Sequence, residues 1–249
     1  MKYNFNFGTS DFKKLIENNN FFVDKSLFIK EVINESSDVL LIPRPRRFGK
    51  SLNFSMLRYF FDIKEESREL FEGLKISKEQ ECLDHMNKYP VLSIDFKGIG
   101  SKNWEETKIE VMGRISDIYV EYREELWEVL DEREKERGNS YHIKTSIEKI
   151  IKYIERRHKK KVVVLIDEYD AVITSMYGKE GFDSCMETFR GLYGNALKGN
   201  NAIHKALMTG IIGISGGLEP NNVKVYGVTH NKYGEYFEFT EEELKLIMN

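Results

Sequence analysis

Residues 40–51 read LLIPRPRRFGKS, and this stretch decides the fold. It starts as an apolar strand and ends in Gly49-Lys50-Ser51, the residues that close a phosphate-binding loop. In such a loop, backbone N–H groups and the N-terminus of the next helix face the phosphates, and the lysine reaches the β and γ oxygens. The glycine expected five residues before Gly49 is Arg44. The stretch is therefore either a phosphate loop of unusual shape or a basic turn before a helix.

The flanking sequence has the strand, loop, helix order that a phosphate loop requires. Residues 38–42 form a short apolar run ended by Pro43, which is typical of a parallel strand buried on both faces. After Ser51, apolar residues recur at helical spacing as far as Phe61. If position 44 requires a positive φ, a non-glycine residue there costs roughly 1–2 kcal/mol. Pro43 and Pro45 leave the shape of the loop open.

A second element, VVVLIDEYD at residues 162–170, favours the phosphate loop over the basic turn. It is an apolar strand that delivers Asp167 and Glu168 at its carboxyl end, as a Walker B motif does. In that motif the aspartate holds Mg²⁺, and the next carboxylate orients or deprotonates the attacking water. Both elements occur in the correct order, each after a buried type of strand, so the Gly-Lys-Ser stretch is interpreted as a phosphate loop. The alternative for the second element is a solvated acidic turn.

The remaining pattern alternates strands with helices and predicts an α/β fold, a P-loop NTPase-like parallel sheet flanked by helices. Further strands are predicted at residues 91–96 and 202–210. Helices are predicted from an N-cap at Ser10, after Asp24, and over residues 52–61, 104 to about 136, 146–158 and 183–198. The segment 211–236 is predicted as loops and short extended pieces. A last helix starts at Thr240, with Glu243 completing a capping box.

Thr209 follows the strand after the acidic motif. In P-loop ATPases a polar residue at this place often senses the γ-phosphate, so Thr209 is a candidate sensor. The alternative is a threonine that caps a strand.

Composition excludes several other classes of protein. The chain has 249 residues, with 38 Lys+Arg against 41 Asp+Glu, so no global basic field favours nucleic acid. The N-terminus lacks a signal peptide and no stretch is apolar enough to span a bilayer, which predicts a cytoplasmic protein without membrane contact. Cys82 and Cys185 have no spacing that indicates zinc or a disulfide framework, and they are interpreted as buried or idle thiols.

Seven blocks together resemble the AAA-ATPase-like family of P-loop proteins, which is often fused to a nuclease-like domain of the PD-(D/E)XK type. The blocks are FFVDKS (21–26), RPRRFGKS (44–51), YFFD (59–62), YPVLSIDF (89–96), VVVLIDEYD (162–170), ALMTG (206–210) and KYGEYFEFTEEE (232–243). In this family RPRRFGK is itself the usual phosphate loop.

The resemblance implies a Mg²⁺-dependent ATPase acting as a molecular switch, with ATP and Mg²⁺ as its ligands. Lys50 and Glu168 would be catalytic together with Thr209, and Ser51 and Asp167 would hold the metal. Asp170 would orient its neighbours. The residues implied in nucleotide binding are Arg46, Arg47, Phe48, Gly49, Lys50, Ser51, Leu52 and, on the adenine side, Phe22 and Val23.

Two departures from the family pattern bear on hydrolysis. The family usually has an arginine after the TGI motif, whereas residues 209–213 read TGIIG. The chain also stops at Asn249, inside what would be a helical lid, and has no nuclease-like domain. The sequence therefore predicts a P-loop domain at residues 1–237 and the start of a truncated lid at residues 238–249.

These departures keep other functions open. One is a nucleotide-binding or interaction module that does not hydrolyse ATP, with a homo-oligomer or a nuclease-like chain as partner. Another is nucleic-acid binding through Arg44, Arg46, Arg47 and the cluster at residues 159–161.

Overall fold

The computed structural model describes residues 8–122, 143–211, 213, 222–230 and 232–248. Its centre is a five-stranded sheet in the order β2-β3-β4-β1-β5, in which every pairing is parallel. The strands are β1 (Val39–Leu41), β2 (Val91–Asp95), β3 (Val162–Asp167), β4 (Ile203–Met208) and β5 (Val223–Val225). The predicted α/β fold with a parallel, helix-flanked sheet is confirmed.

Ten α-helices flank this sheet within the described ranges. They are α1 (Phe12–Glu17), α2 (Phe28–Asn34), α3 (Lys50–Phe61), α4 (Gln80–Leu83), α5 (Trp104–Glu121), α6 (Ile143–His158), α7 (Ala171–Met176), α8 (Phe182–Leu197), α9 (Gly234–Phe237) and α10 (Glu241–Met248). Two short 3₁₀ turns, Arg68–Phe71 and Lys75–Lys78, lie between α3 and α4.

The sheet separates two apolar cores, because successive side chains of a strand point to opposite faces. In β3, Val162, Val164 and Ile166 face the core covered by α5, α6 and α8. Val163 and Leu165 face the core covered by α1, α2 and α3. Both faces of β3 are therefore buried, which explains its continuous apolar sequence.

One predicted helix boundary needs a correction. Helix α1 is capped by Asp11, not Ser10, because the Asp11 carboxylate accepts a hydrogen bond from the Lys14 N–H at 2.8 Å. The long helix predicted from residue 104 is observed as far as Glu121, and its predicted continuation beyond residue 122 lies outside the described residues. At the other end of the chain the capping box is confirmed, since the Glu243 carboxylate accepts from the Thr240 N–H at 2.8 Å.

The edge strand β5 was predicted only as a short extended piece, and it adds to the sheet beside β1. A buried carboxylate holds it there. Glu35, just after α2, accepts hydrogen bonds from Lys224 at 3.3 Å, from the Tyr226 hydroxyl at 2.5 Å and from Lys232 at 2.6 Å. This cluster joins α2 to β5 and to the chain that follows it.

Two smaller predictions also bear on the fold. Cys82 and Cys185 are both buried free thiols, as predicted. Within the described ranges, no helix has the length and apolarity needed to cross a bilayer. The predicted boundary between residues 237 and 238 stays a prediction.

Candidate active site

The phosphate loop connects β1 to α3 and is fixed to the neighbouring strand. The N–H of Ile42 donates to the Met208 carbonyl at 2.9 Å, and the N–H of Arg44 donates to the Gly210 carbonyl at 3.0 Å. Helix α3 begins at Lys50, directly after the loop. The N-terminus of α3 and its partial positive charge therefore face the carboxyl edge of the sheet.

The loop turns at positions other than 44. Gly49 and Arg47 both have φ of 69°, in the left-handed region, whereas Arg44 is not among the described residues with positive φ. The loop therefore does not need a glycine at position 44, and arginine causes no backbone strain there. Instead Arg47 adopts the left-handed conformation, which costs a non-glycine residue roughly 1–2 kcal/mol of conformational free energy.

Lys50 is nearly buried and lies inside the loop. Its Nζ donates to the Arg44 carbonyl at 3.1 Å and to the Pro45 carbonyl at 3.2 Å. The same nitrogen is 3.7 Å from a carboxylate oxygen of Glu168. The loop lysine and the second acid of the DE pair, 118 positions apart in sequence, are thus neighbours in space.

Ser51 and Asp167 meet directly, since the Ser51 hydroxyl donates to Asp167 Oδ2 at 2.5 Å. Burial raises the pKa of Asp167, and the hydrogen bond from Ser51 opposes that rise. The charge of Asp95, opposite Asp167 in the register of β2 and β3, raises it further. A cation placed between Ser51 and Asp167 would relieve this burial and repulsion.

Glu168 leaves the strand in a left-handed conformation, with φ of 51°. Its N–H donates to Asp167 Oδ1 at 2.9 Å, which fixes the turn. The Glu168 side chain is 20% exposed to solvent. The Glu168 carboxylate is therefore partly accessible to water.

Thr209 ties three strands together at the same edge. Its hydroxyl donates to the Ile42 carbonyl at 2.9 Å, its N–H donates to the Ile166 carbonyl, and its carbonyl accepts from the Tyr169 N–H. The side chain is fully buried. These contacts correspond to the strand-capping alternative, and the sensor role of Thr209 stays a prediction.

Asp170 and Gly210 pack closely beside Thr209. Asp170 is almost fully buried, and its Oδ2 accepts from the Ile211 N–H at 2.9 Å. A β-carbon on Gly210 would lie 2.2 Å from Asp170 Oδ1. The glycine of the TG pair is therefore required by the close approach of the acidic segment.

A cleft of about 1210 Å³ opens above these residues. Arg46, Arg47, Gly49, Lys50, Ser51, Leu52 and Glu168, all predicted site residues, line it. The sequence analysis missed the other walls, which come from residues 8–10, from residues 97–100 after β2, and from Thr174 and Ser175 in α7. The position of residues 97–100 at the carboxyl end of a parallel strand was a usable signal for them.

Five predicted site residues do not line this cleft: Phe22, Val23, Phe48, Asp167 and Thr209. Phe22 packs edge-on against Phe12 with ring centroids 5.5 Å apart, and Phe48 packs against the same core. Val23 is likewise not part of the cleft wall. Their roles in nucleotide binding stay predictions.

The donor set suits magnesium better than a metal held wholly by side chains. Among the described residues there is no group of three or more His, Cys, Asp or Glu arranged to hold a metal. Mg²⁺ usually takes one or two protein oxygens and keeps several waters together with substrate phosphates. The adjacent hydroxyl of Ser51 and carboxylate of Asp167 are oxygens of that kind, so they fit the ion.

A known protein is similar to this chain over nearly its whole length. The chain is 25% identical over 248 residues to a protein of Azotobacter chroococcum mcd 1 described as "Uncharacterized protein in vnfD 5'region". The match covers 96% of this chain and 44% of that relative, so the chain spans less than half of the relative's length.

The family resemblance seen in the sequence is confirmed. Residues 6–216 match a family model described as "Predicted AAA-ATPase". This range contains the phosphate loop, the acidic strand end and Thr209. The chain therefore belongs to the AAA-ATPase-like family of nucleotide-binding proteins.

Proposed function

We propose that the chain binds MgATP and hydrolyses it to ADP and phosphate, acting as a nucleotide-dependent molecular switch. One observation carries the proposal: the Ser51 hydroxyl lies 2.5 Å from the Asp167 carboxylate, and Ser51 lines the same cleft as Lys50 and Glu168. Two sequence elements more than a hundred residues apart thus meet with the chemistry that one nucleotide requires.

The phosphates would bind along the loop and the start of α3. Gly49 and the first residues of α3 present backbone N–H groups, and Lys50 supplies a positive charge beside them. Arg46 and Arg47 line the cleft and add further positive charge. We infer that these two arginines replace part of the charge that relatives carry on the arginine after the TGI motif.

Ser51 and Asp167 would hold Mg²⁺. When bound, the ion neutralises charge on the phosphate oxygens and orients them. Until then the hydrogen bond between Ser51 and Asp167 keeps the two oxygens together. Burial and the charge of Asp95 raise the pKa of Asp167, so a cation bound there would stabilise the ionised carboxylate.

Glu168 would be the catalytic base. A water oxygen attacks the γ-phosphorus, Glu168 accepts the proton of that water, and the bond to the β,γ-bridging oxygen breaks to release ADP. Before that step Lys50 has to release Glu168, because the two side chains are only 3.7 Å apart. Movement of Lys50 onto the phosphates would free the base.

The contact between Lys50 and Glu168 also favours a second candidate function. If the nucleotide does not draw Lys50 away, Glu168 stays engaged and the chain binds MgATP without turnover. Such a module would change state on binding alone. The nuclease-like partner, the homo-oligomer and nucleic acid stay predictions.

The test is phosphate release from MgATP by the purified chain. Lys50→Ala should abolish nucleotide binding and release together. Glu168→Gln should keep binding and lower the rate on the order of 10²–10⁴-fold, the usual contribution of a general base. Matched controls are Lys160→Ala and Glu72→Gln, which change exposed residues outside the cleft wall.

Each result separates the two candidates. Release that survives in Lys50→Ala at the wild-type rate contradicts both. Binding without release in the wild type, with binding lost in Lys50→Ala, establishes the module that does not hydrolyse ATP.

A further inference from the structure

Arg44 is a fully buried cation in the phosphate loop. Its Nη1 donates to the carbonyl of the preceding residue, Pro43, and to the carbonyl of Tyr226, each at 2.8 Å. Its guanidinium lies over the ring of Phe237, 5.3 Å from the centroid. Among the described residues, Nε and Nη2 have no hydrogen-bond partner. Burying a charge with so few partners is unfavourable, so this side chain requires an explanation beyond packing.

The backbone of the same residue contacts the loop lysine and the strand beside the loop. Its carbonyl accepts from Lys50 Nζ at 3.1 Å, and its N–H donates to the Gly210 carbonyl at 3.0 Å. Arg44 therefore touches the loop lysine through its backbone and the C-terminal part of the chain through its side chain. A glycine at this position would make only the first of these connections.

The C-terminal segment, defined here as residues 232–248, is held by other elements near the loop as well. Asn53 in α3 donates to the Tyr236 carbonyl at 3.0 Å. Lys25 in the FFVDKS block donates to the Glu238 carbonyl at 2.9 Å and forms an ion pair with Glu243 at 2.6 Å. The FFVDKS block thus clamps this segment.

We propose that Arg44 is a positioning residue that couples occupancy of the phosphate loop to the seating of the C-terminal segment. The inference rests on the proposed function, since it assigns the regulation of that nucleotide site. The coupling runs from Lys50 through the Arg44 carbonyl to the guanidinium, and from there to Tyr226 and Phe237.

The chemical basis is the limited number of donors on lysine. An ammonium has three N–H bonds. Here Lys50 donates to the carbonyls of Arg44 and Pro45, and the carboxylate of Glu168 lies at ion-pair distance, 3.7 Å away. Phosphate oxygens can be engaged only if Lys50 gives up some of these partners. Nucleotide binding therefore changes what holds the Arg44 carbonyl, and the rigid guanidinium carries that change to Phe237.

Coupling between two sites is reciprocal, which provides two independent tests. Nucleotide should alter the dynamics of the C-terminal segment, and a change in that segment should alter nucleotide affinity. Typical couplings correspond to roughly 5–150-fold in affinity.

The first test is hydrogen exchange of residues 232–248 with and without a saturating non-hydrolysable Mg-ATP analogue, with affinity measured by calorimetry. In the wild type we expect the exchange rate there to change at least threefold. Arg44→Met should still bind the analogue but lose this response, and Arg44→Lys, which keeps the charge without the planar fork, should recover only part of it. A merely structural role of Arg44 would lower stability and leave the response intact.

The second test does not depend on the folding of Arg44 variants. Phe237→Leu should change the Kd of the analogue at least threefold. Phe71→Leu is the matched control, because Phe71 is also buried in the same core but packs on Phe12 and Phe60. It should leave the Kd within twofold, and melting temperatures of both variants show that they are folded.

Three results overturn the inference. The wild-type chain binds the analogue but residues 232–248 exchange unchanged, or Arg44→Met responds like the wild type, or Phe237→Leu and Phe71→Leu alter the Kd equally. If the wild type binds no nucleotide, the proposed function fails and the coupling fails with it.

Discussion

Gly210 offers a sharp test of the packing beside the candidate site. A methyl group at this position, in Gly210→Ala, would lie 2.2 Å from Asp170 Oδ1 and 2.7 Å from Tyr169 Cδ1. Real β-carbons do not approach other atoms so closely. Because Asp170 and Tyr169 are 1% and 0% exposed, neither side chain can swing into solvent to make room.

The expected loss of stability follows from this overlap. Overpacking a rigid core costs about 1–3 kcal/mol. For a domain of this size each kcal/mol corresponds to about 2–4 °C in melting temperature. Gly210→Ala should therefore melt roughly 2–12 °C below the wild type. Displacement of Asp170 should also disturb Glu168 two positions earlier and weaken phosphate release.

Gly194→Ala is the control, and it should raise the stability of the protein instead of lowering it. Gly194 lies inside α8, and a β-carbon placed there would have no atom within 4 Å apart from its chain neighbours and the backbone of its own helix. Alanine is favoured over glycine in a helix by roughly 0.5–1 kcal/mol. Urea unfolding followed by circular dichroism measures both variants. The reasoning is refuted if Gly210→Ala is as stable as the wild type, or if Gly194→Ala loses as much as Gly210→Ala.

Three further predictions concern charged groups. Burial opposes ionisation of Glu35, but hydrogen bonds led by that from Lys232 outweigh it and hold the pKa of Glu35 well below its usual value. A carboxylate whose pKa is depressed in the folded state stabilises the fold at pH values above the ordinary carboxyl pKa of about 4.3. Glu35→Gln should therefore be less stable than the wild type at pH 7, and this difference in the free energy of unfolding should shrink as the pH falls below about 4. An equal difference at pH 7 and pH 3 in urea titrations would contradict this. Burial lowers the pKa of His204 to about 4, so the unfolded state binds the proton more readily than the folded state. The wild type should therefore lose stability as the pH falls from about 6.5 to 5, and it should lose more than His204→Gln does. Parallel plots of unfolding free energy against pH for the two proteins would exclude the effect. Lys25→Met removes the ion pair to Glu243 and should lower the free energy of unfolding by about 1–3 kcal/mol. The partner variant Glu243→Gln, which removes the negative charge, should add little to this loss when the two are combined, and additive losses in urea titrations would contradict the pairing.

Much of the site followed from local sequence pattern. Lys50 and Ser51 come after one apolar strand and Asp167 and Glu168 after another, and parallel strands bring their carboxyl ends to one edge. The meeting of Ser51 with Asp167 is the outcome that this rule predicts. Periodicity likewise placed the helices, because the pattern and the structure depend on the same buried faces.

Other features depend on contacts that no local pattern contains. The sequence shows that Arg44 replaces a glycine, but arginine is almost never fully buried, so its burial under Phe237 was not foreseeable. Lys25 reads as an ordinary surface lysine, yet it reaches Glu243 at the other end of the chain. Strand β5 has only three residues, and its place beside β1 is decided by tertiary pairing.

The order of strands in the sheet also determines when the active site can form during synthesis. The partners of β1 are β4 and β5, and Val39 lies opposite Ala206, about 170 positions later. A ribosome adding 5–20 residues per second needs roughly 10–30 s to cover that distance. Throughout this interval the strand that carries the phosphate loop has neither neighbour, and its apolar edge is open to chaperones or to wrong pairing. Nucleotide can therefore stabilise this chain only after most of it has left the ribosome.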